Sequence, residues 1–179
     1  MILIIDTCKE RLSYFEFVRP IEDIVKKGYI TKYYLDIKEQ DLEKADKIII
    51  TGTSLKDNGL LDNIDSFCWL KRFKKPVLGI CAGIEIIGLI FCCTLRRGVE
   101  VGLKKVNFEG EFLGLQGKQN VYAIHVFSLE NNEELTKTFE VRAKNRYVQA
   151  IKHKKRPIYG VLFHPEVRNK EMIKRFLEI

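Results

Sequence analysis

The strongest chemical signal in the sequence is Cys81, which stands between Gly79 and Gly83 in the segment GICAG. The apolar run 77–80 before it has the composition of a buried strand, and the apolar stretch 84–93 after it is typical of a helix. This G-x-C-x-G arrangement is the thiol counterpart of the nucleophile elbow, a sharp turn that projects a nucleophile from the edge of a sheet. We therefore predict that Cys81 lies at a helix N-terminus.

A helix N-terminus favours a thiolate over a thiol, because its free amides and the helix dipole stabilise negative charge. The same amides stabilise an oxyanion, and the amide of Ala82 directly after the cysteine is the expected donor. A tightly packed strand-to-helix corner with an inert buried cysteine is the alternative interpretation. The elbow therefore needs a base elsewhere in the chain.

A base is available at His164 in the segment YGVLFHPEV, where Glu166 follows two residues later. Residues two apart in an extended segment face the same side, so the carboxylate of Glu166 can fix the tautomer of the His164 ring. A turn with a structurally hydrogen-bonded histidine is the alternative for this segment taken alone. Together with Cys81, the two residues predict the nucleophile, base and orienting carboxylate of an acyl-transfer triad.

Short strand-like and helix-like segments alternate along the first half of the chain and predict an α/β fold. The strand-like segments are MILIID, TKYYLDI, KIIIT and PVLGI, and the helical ones are 14–27, DLEKA and 61–74. The turn-like stretch 51–59 follows the third strand, strand-like pieces fill 94–143, and YGVLFH precedes a final helix. We predict a mostly parallel open sheet with helices on both faces and a small antiparallel addition, in a single domain over residues 1–179.

Composition restricts the class of protein. The 179 residues are 46% hydrophobic, but every apolar run is shorter than the roughly 20 residues that cross a bilayer, so we expect no membrane association. The N-terminus lacks the pattern of a secretory signal, so we expect a cytoplasmic protein whose five cysteines are thiols and bind no metal. The net charge of +7 is spread among acidic residues without aromatic interleaving, which argues against a nucleic-acid partner.

The segments GICAG and YGVLFHPEV, in this order and with MILIID and IIITGTS before them, resemble the class I (triad type) glutamine amidotransferase family, which has a flavodoxin-like fold. The resemblance covers essentially the whole chain and is nearest to the glutaminase subunits of archaeal GMP synthases. It implies hydrolysis of the side-chain amide of glutamine, in which Cys81 attacks the carbonyl, His164 transfers protons and Glu166 holds His164.

The resemblance also implies a set of substrate contacts. The amide of Gly52 or Thr53 corresponds to the second oxyanion donor of the family, and His125 lies in a stretch that contacts the substrate. Glu85 stands where the family usually has glutamine, one helical turn beyond Cys81. Its carboxylate can face the thiolate and raise its pKa, or hold the substrate ammonium; alternatively it turns to solvent or pairs with a lysine.

Other positions also depart from the family pattern, and they leave the function open. The usual Gly-Gly-Pro turn is replaced, as are the serine before the histidine and the glutamine of the F-H-P-E segment; the residues present are Thr53-Ser54, Ile124 and Leu162. We expect a glutaminase without cofactor that supplies ammonia to a separate ATP-dependent synthetase, with GMP synthase as the candidate, since no P-loop is present. The alternatives are a Cys-His hydrolase of another γ-glutamyl or amide substrate, and a non-catalytic regulatory subunit.

Overall fold

The apolar runs of the first half of the chain form parallel strands, each four or five residues long. In this computed structural model, which describes residues 1–57 and 59–179, they are β1 (Ile2–Asp6), β2 (Tyr29–Tyr33), β3 (Lys47–Ile50), β4 (Val77–Ile80) and, from the C-terminal region, β9 (Ile158–Val161). Their order in the sheet is β2-β1-β3-β4-β9, and all four contacts are parallel. The loops that follow β1, β3, β4 and β9 therefore emerge at one edge of the sheet.

The second half of the sheet is antiparallel and continues from β9. Its strands are β5 (Leu95–Phe112), β6 (Leu115–Leu129), β7 (Phe139–Lys144) and β8 (Val148–His153). They extend the order as β9-β8-β7-β5-β6, so that the described residues contain one nine-stranded mixed sheet. The long β5–β6 hairpin has an irregular register between Arg97 and Glu100, where β5 carries an extra residue. The antiparallel part thus supplies four of the nine described strands.

Helices lie between the strands, mostly where the sequence predicts them. They are α1 (Arg11–Phe17), α2 (Arg19–Val25), α3 (Glu39–Lys44), α4 (Gly59–Asp62), α5 (Ala82–Ile90), α6 (Glu133–Thr138) and α7 (Lys170–Glu178), with 3₁₀ segments at Tyr34–Asp36 and Ile64–Lys71. The helix predicted over 14–27 is two helices separated at Val18, because Pro20 has no amide to continue α1 and instead starts α2. Asn58, in the predicted turn 51–59, lies outside the described residues.

Alternate residues of the parallel strands enter two separate hydrophobic layers, one on each face of the sheet. Leu3, Ile48 and Val77 pack with α3, α5 and the 3₁₀ segment Ile64–Lys71, while Ile4, Ile49 and Leu78 pack with α1, α2 and α7. The predicted fold class is therefore confirmed. No helix in the described part of the chain is both long and apolar enough to span a membrane.

Gly79 and Gly83 allow α5 to start unusually close to the sheet. A Cβ at Gly79 would lie 2.5 Å from the backbone of Gly83, and a Cβ at Gly83 would lie 2.6 Å from the carbonyl oxygen of Ile50. Backbone atoms in two strands and a helix cannot move aside as a flexible side chain can. The two glycines are therefore required by packing around Cys81.

We expect Gly79→Ala to destabilise the protein by about 2 kcal/mol, because the added methyl overpacks a junction of backbone atoms. Gly59→Ala is the matched control, since its Cβ would meet nothing closer than 3.7 Å. Guanidinium denaturation of both variants measures the difference. Equal midpoints for Gly79→Ala and the unaltered protein would show that the junction can relax.

Candidate active site

Cys81 occupies the strained turn between β4 and α5. It is the N-cap residue of α5 and has φ 50° and ψ −105°, a conformation that a residue with a side chain rarely adopts. The turn is held by two backbone hydrogen bonds: the amide of Cys81 donates to the Val161 carbonyl at 2.8 Å, and the amide of Ile84 donates to the Cys81 carbonyl at 3.1 Å. The strained residue is thus the one predicted to be the nucleophile.

His164 and Glu166 lie together in the segment that follows β9, and each is only 1% exposed. Nδ1 of His164 is 2.7 Å from Oε1 of Glu166, within hydrogen-bonding distance. The backbone of the segment is fixed because the amide of His164 donates to the Tyr122 carbonyl of β6 at 2.8 Å. The side chain of Glu166 therefore orients the imidazole ring.

Gly52, in the loop after β3, shows how closely Cys81 and His164 approach each other. A Cβ built on Gly52 would lie 2.8 Å from Cε1 of His164 and 3.2 Å from Cβ of Cys81. The ring of Phe17 packs against the same imidazole, with ring centroids 5.3 Å apart. Three residues that are distant in sequence thus meet at the edge of the sheet where β3, β4 and β9 end.

The charges around His164 favour its protonated form. Burial lowers the pKa of the ring, but the Glu166 carboxylate and the Cys81 side chain outweigh it, so the pKa of His164 lies well above its usual range. An imidazolium between a carboxylate and a sulfur is the charge arrangement of a cysteine–histidine nucleophile pair.

The thiol of Cys81 makes its hydrogen bond to a backbone group. Sγ donates to the carbonyl oxygen of Ile124 in β6 at 3.5 Å. Nε2 of His164 is buried and has no hydrogen-bond partner in residues 1–57 and 59–179. The sulfur and the imidazole are neighbours in this state, but the sulfur is hydrogen-bonded to the edge strand. No sequence pattern signals this contact, since every residue type carries the same backbone carbonyl.

A pocket opens beside Cys81 and contains most of the predicted substrate contacts. Its lining combines the loop after β3, the first turn of α5 and the end of β6, and includes Thr53, Cys81, Ala82, Glu85, His125 and Val126. His164, Glu166 and Gly52 do not line it. The pocket therefore gives access to the sulfur, while the buried imidazole and carboxylate lie outside it. In the part of the chain that the structure describes, no cluster of His, Cys, Asp or Glu is arranged to hold a metal ion.

His125 is completely buried and paired with a carboxylate that the sequence analysis missed. Nε2 of His125 lies 3.3 Å from Oε2 of Glu100, the residue opposite it in the β5–β6 register. The same carboxylate accepts hydrogen bonds from the side-chain amides of Gln149 at 2.9 Å and Asn145 at 3.0 Å. Burial lowers the pKa of His125, against the raising effect of Glu100. Finding this pair from sequence would have required the register of the hairpin.

Glu85 faces the pocket, and its carboxyl is largely removed from solvent. Burial alone raises its pKa to about 8, and no cation among the described residues lies within ion-pair distance of it. The structure therefore shows neither the solvent-facing nor the lysine-paired alternative for Glu85. A protonated carboxyl at this place both donates and accepts hydrogen bonds, as does the carboxamide that the family usually has there.

We expect Glu85→Gln to change the pH dependence of stability. The usual pKa of 4.5 rises to about 8 in the folded protein, so folding is favoured by the neutral form and stability falls as the pH rises from 4.5 to 8. Glutamine does not ionise, so the variant matches the unaltered protein near pH 4 and exceeds it near pH 8 by on the order of 3 kcal/mol.

Urea denaturation at both pH values measures this difference. The control is Glu43→Gln, which removes an exposed carboxylate on α3 and is expected to leave the pH dependence unchanged. An equal change in the two variants would show that Glu85 is ionised in the folded protein at neutral pH.

Both the sequence and the fold have counterparts among known proteins. The model of the glutamine amidotransferase class-I family matches residues 18–179. The glutamine-hydrolysing subunit of GMP synthase from Pyrococcus abyssi is 35% identical over 131 residues, which are 67% of this chain and 65% of the relative. The corresponding subunit from Saccharolobus solfataricus is 31% identical over 151 residues, 78% of this chain and 79% of the relative. The match thus spans just under two thirds of the first relative.

Two solved structures share the fold. A putative GMP synthase subunit from Thermoplasma acidophilum aligns with 99% of this chain and over 92% of its own length, with a TM-score of 0.84 and 24% identity. A glutamine amidotransferase from Thermotoga maritima aligns with 99% of this chain and over 80% of its own length, with a TM-score of 0.71 and 19% identity. The nine-stranded mixed sheet is therefore an arrangement known from solved proteins.

Proposed function

The chain belongs to the class I glutamine amidotransferase family, and we propose that it hydrolyses the side-chain amide of glutamine and delivers the ammonia to a separate synthetase. The observation that carries this proposal is the position of Cys81 in a strained turn beside a buried His164–Glu166 pair. The relatives named as glutamine-hydrolysing subunits of GMP synthase support the same reaction.

In the proposed reaction Cys81, His164 and Glu166 act as nucleophile, proton carrier and orienting carboxylate. The sulfur attacks the amide carbon of glutamine after its proton passes to Nε2 of His164, and the imidazolium gives that proton to the nitrogen that leaves as ammonia. Water then attacks the γ-glutamyl thioester, with His164 as base, and glutamate is released. The hydrogen bond to Glu166 keeps Nε2 directed at the reacting atoms throughout.

The oxyanion formed in both steps needs two donors. Ala82 is the first residue of α5, so its amide has no acceptor within the helix and serves as one donor. The carbonyl of Gly52 accepts hydrogen bonds from the Thr7 hydroxyl at 2.9 Å and the Cys8 thiol at 3.5 Å. In a trans peptide the next amide points the opposite way, so the amide of Thr53, which lines the pocket, is the better second donor than that of Gly52.

The remaining pocket residues are assigned to substrate recognition. Glu85 is placed to hydrogen-bond a polar group of the substrate as a neutral carboxyl near pH 7, and it attracts an ammonium group once ionised. His125, fixed by Glu100, forms part of the pocket wall. Both side chains are positioned by their packing before any substrate binds, so they cost little ordering entropy on binding.

Two alternative functions remain for experiment to exclude. The carboxyl of Glu85 in the pocket favours, as second candidate, a hydrolase of another γ-glutamyl compound that uses the same Cys81 and His164. A non-catalytic subunit with the same fold is the third. The proposal further places the protein in the cytoplasm, with residues 1–179 as one domain, and gives it an ATP-dependent partner such as the synthetase subunit of GMP synthase; the named relatives support this partner.

Cys81→Ser is expected to lower glutamine turnover at least about a thousandfold, since the hydroxyl is a poor substitute for the sulfur in this pair. A glutamine-analogue diazo-ketone should add to Cys81 in the unaltered protein, as seen by mass spectrometry. Turnover of γ-glutamyl peptides is measured in parallel, and a preference for them would favour the second candidate. No adduct in the presence of the synthetase would favour the non-catalytic subunit.

Gly52→Ala is expected to lower kcat for glutamine about a hundredfold without unfolding the protein. The added methyl would stand 2.8 Å from Cε1 of His164 and displace the ring, and a displacement of about 1 Å is enough for such a loss. Gly59→Ala in the following helix is the control, because its Cβ has ordinary contacts. An unchanged kcat in Gly52→Ala would mean that the position of His164 is not limiting.

A further inference from the structure

The outer face of the β5–β6 hairpin is an apolar surface without an intramolecular partner among the described residues. Val99, Val101 and Leu103 point to this face and are 56%, 54% and 63% exposed. Cross-strand neighbours share a face in an antiparallel pair, and the register places Ile124 opposite Val101 and Tyr122 opposite Leu103. We call these five residues the hairpin face.

Charge on this side of the hairpin is uniformly positive. The next residues along the two strands, Lys105 and Lys118, lie on the same side, paired with Asn120 and Asn107 respectively. No Asp or Glu side chain occupies that side between Val99 and Asn107 or between Lys118 and Ile124. A protein surface that fits here is apolar at its centre and has carboxylates at the end that meets the two lysines.

The hairpin face is physically connected to the candidate active site through β6. The backbone carbonyl of Ile124 accepts the hydrogen bond of the Cys81 thiol, and that of Tyr122 accepts the amide of His164. Val126, two residues beyond Ile124, lines the pocket. A partner that presses on the side chains of Ile124 and Tyr122 therefore acts on the strand that holds both the sulfur and the histidine segment.

We propose that the hairpin face is the docking surface for the ATP-dependent synthetase, and that docking shifts β6 so that the Cys81 thiol leaves the Ile124 carbonyl for His164. This inference rests on the proposed function, which requires such a partner. Nε2 of His164 has a free position for the thiol, since no described residue occupies it. The glutaminase is then slow alone and fast in the complex, so that ammonia forms where it is used.

A second copy of the chain is a poorer occupant. A two-fold symmetric contact through this face would bring lysines of both copies to the same interface with no carboxylate between them. An anionic membrane would satisfy the lysines, but it offers no defined contact through which the position of β6 could be set. The synthetase accounts for both the apolar centre and the link to Cys81.

The test uses the full chain and the synthetase subunit of GMP synthase from the same organism. Binding is measured by titration calorimetry, and glutamine turnover is measured with and without the synthetase. We expect Leu103→Asp to weaken binding at least about tenfold and to remove the stimulation of turnover while the basal rate stays unchanged. Leu12→Asp is the matched control, since Leu12 is 81% exposed and lies on α1, and it should bind as the unaltered chain does.

The charge element is tested by Lys105→Glu combined with Lys118→Glu, which should weaken binding and reduce its dependence on salt. The proposal is overturned if the synthetase fails to bind the unaltered chain, if Leu103→Asp binds normally, or if Leu12→Asp is equally impaired. Sedimentation of the chain alone and flotation with phosphatidylglycerol vesicles complete the test. Self-association or vesicle binding that is lost in Leu103→Asp would overturn it in favour of the other occupant.

Failure of docking and failure of the proposed function give different results. If docking is wrong, basal glutamine turnover and the diazo-ketone adduct on Cys81 persist in the unaltered chain and in Leu103→Asp. If the proposed function is wrong, neither is seen in any variant, with or without the synthetase.

Discussion

The close approach of α5 to the sheet is the constraint on which the rest of the structure depends. With only hydrogen atoms at Gly79 and Gly83, the first turn of the helix contacts the backbone of β3 and β4, and the connecting residue has to adopt a positive φ. That residue is Cys81. Its strain is maintained by backbone hydrogen bonds to β9 and α5, so the position of the sulfur is fixed by the same packing that holds the sheet together.

The second essential element is the electrostatic balance around His164. A buried imidazole alone would be neutral near pH 7, because burial disfavours its charge; the Glu166 carboxylate reverses this. The carboxylate is itself buried, so it depends on the imidazolium in turn. The two groups therefore act as one unit, and the neighbouring sulfur meets a positive charge whose position and orientation are fixed before substrate arrives.

The positions of the strands and the proximity of distant residues could be predicted from the sequence, because both follow from local patterns. The apolar runs located β1, β3 and β4, and the parallel order of such runs brings the segments after β4 and β9 to one edge. Contacts made by backbone atoms or set by strand register could not be predicted in this way. The pairing of Glu100 with His125, and the carbonyl of Ile124 beside Cys81, depend on a hairpin bulge that composition does not specify. The division of the predicted helix 14–27 was likewise missed because Pro20 was not given enough weight.

The use of main-chain oxygens of β6 at the reactive centre has a consequence for how this protein can evolve. Because the sulfur and the histidine segment are held by carbonyl groups of Ile124 and Tyr122, every amino acid that keeps the strand extended supplies the same oxygen. Side chains along the strand are therefore not constrained by these two contacts and are free to diversify. A lineage can replace a serine by isoleucine at position 124 and change the exterior of the hairpin while the interior geometry is inherited intact.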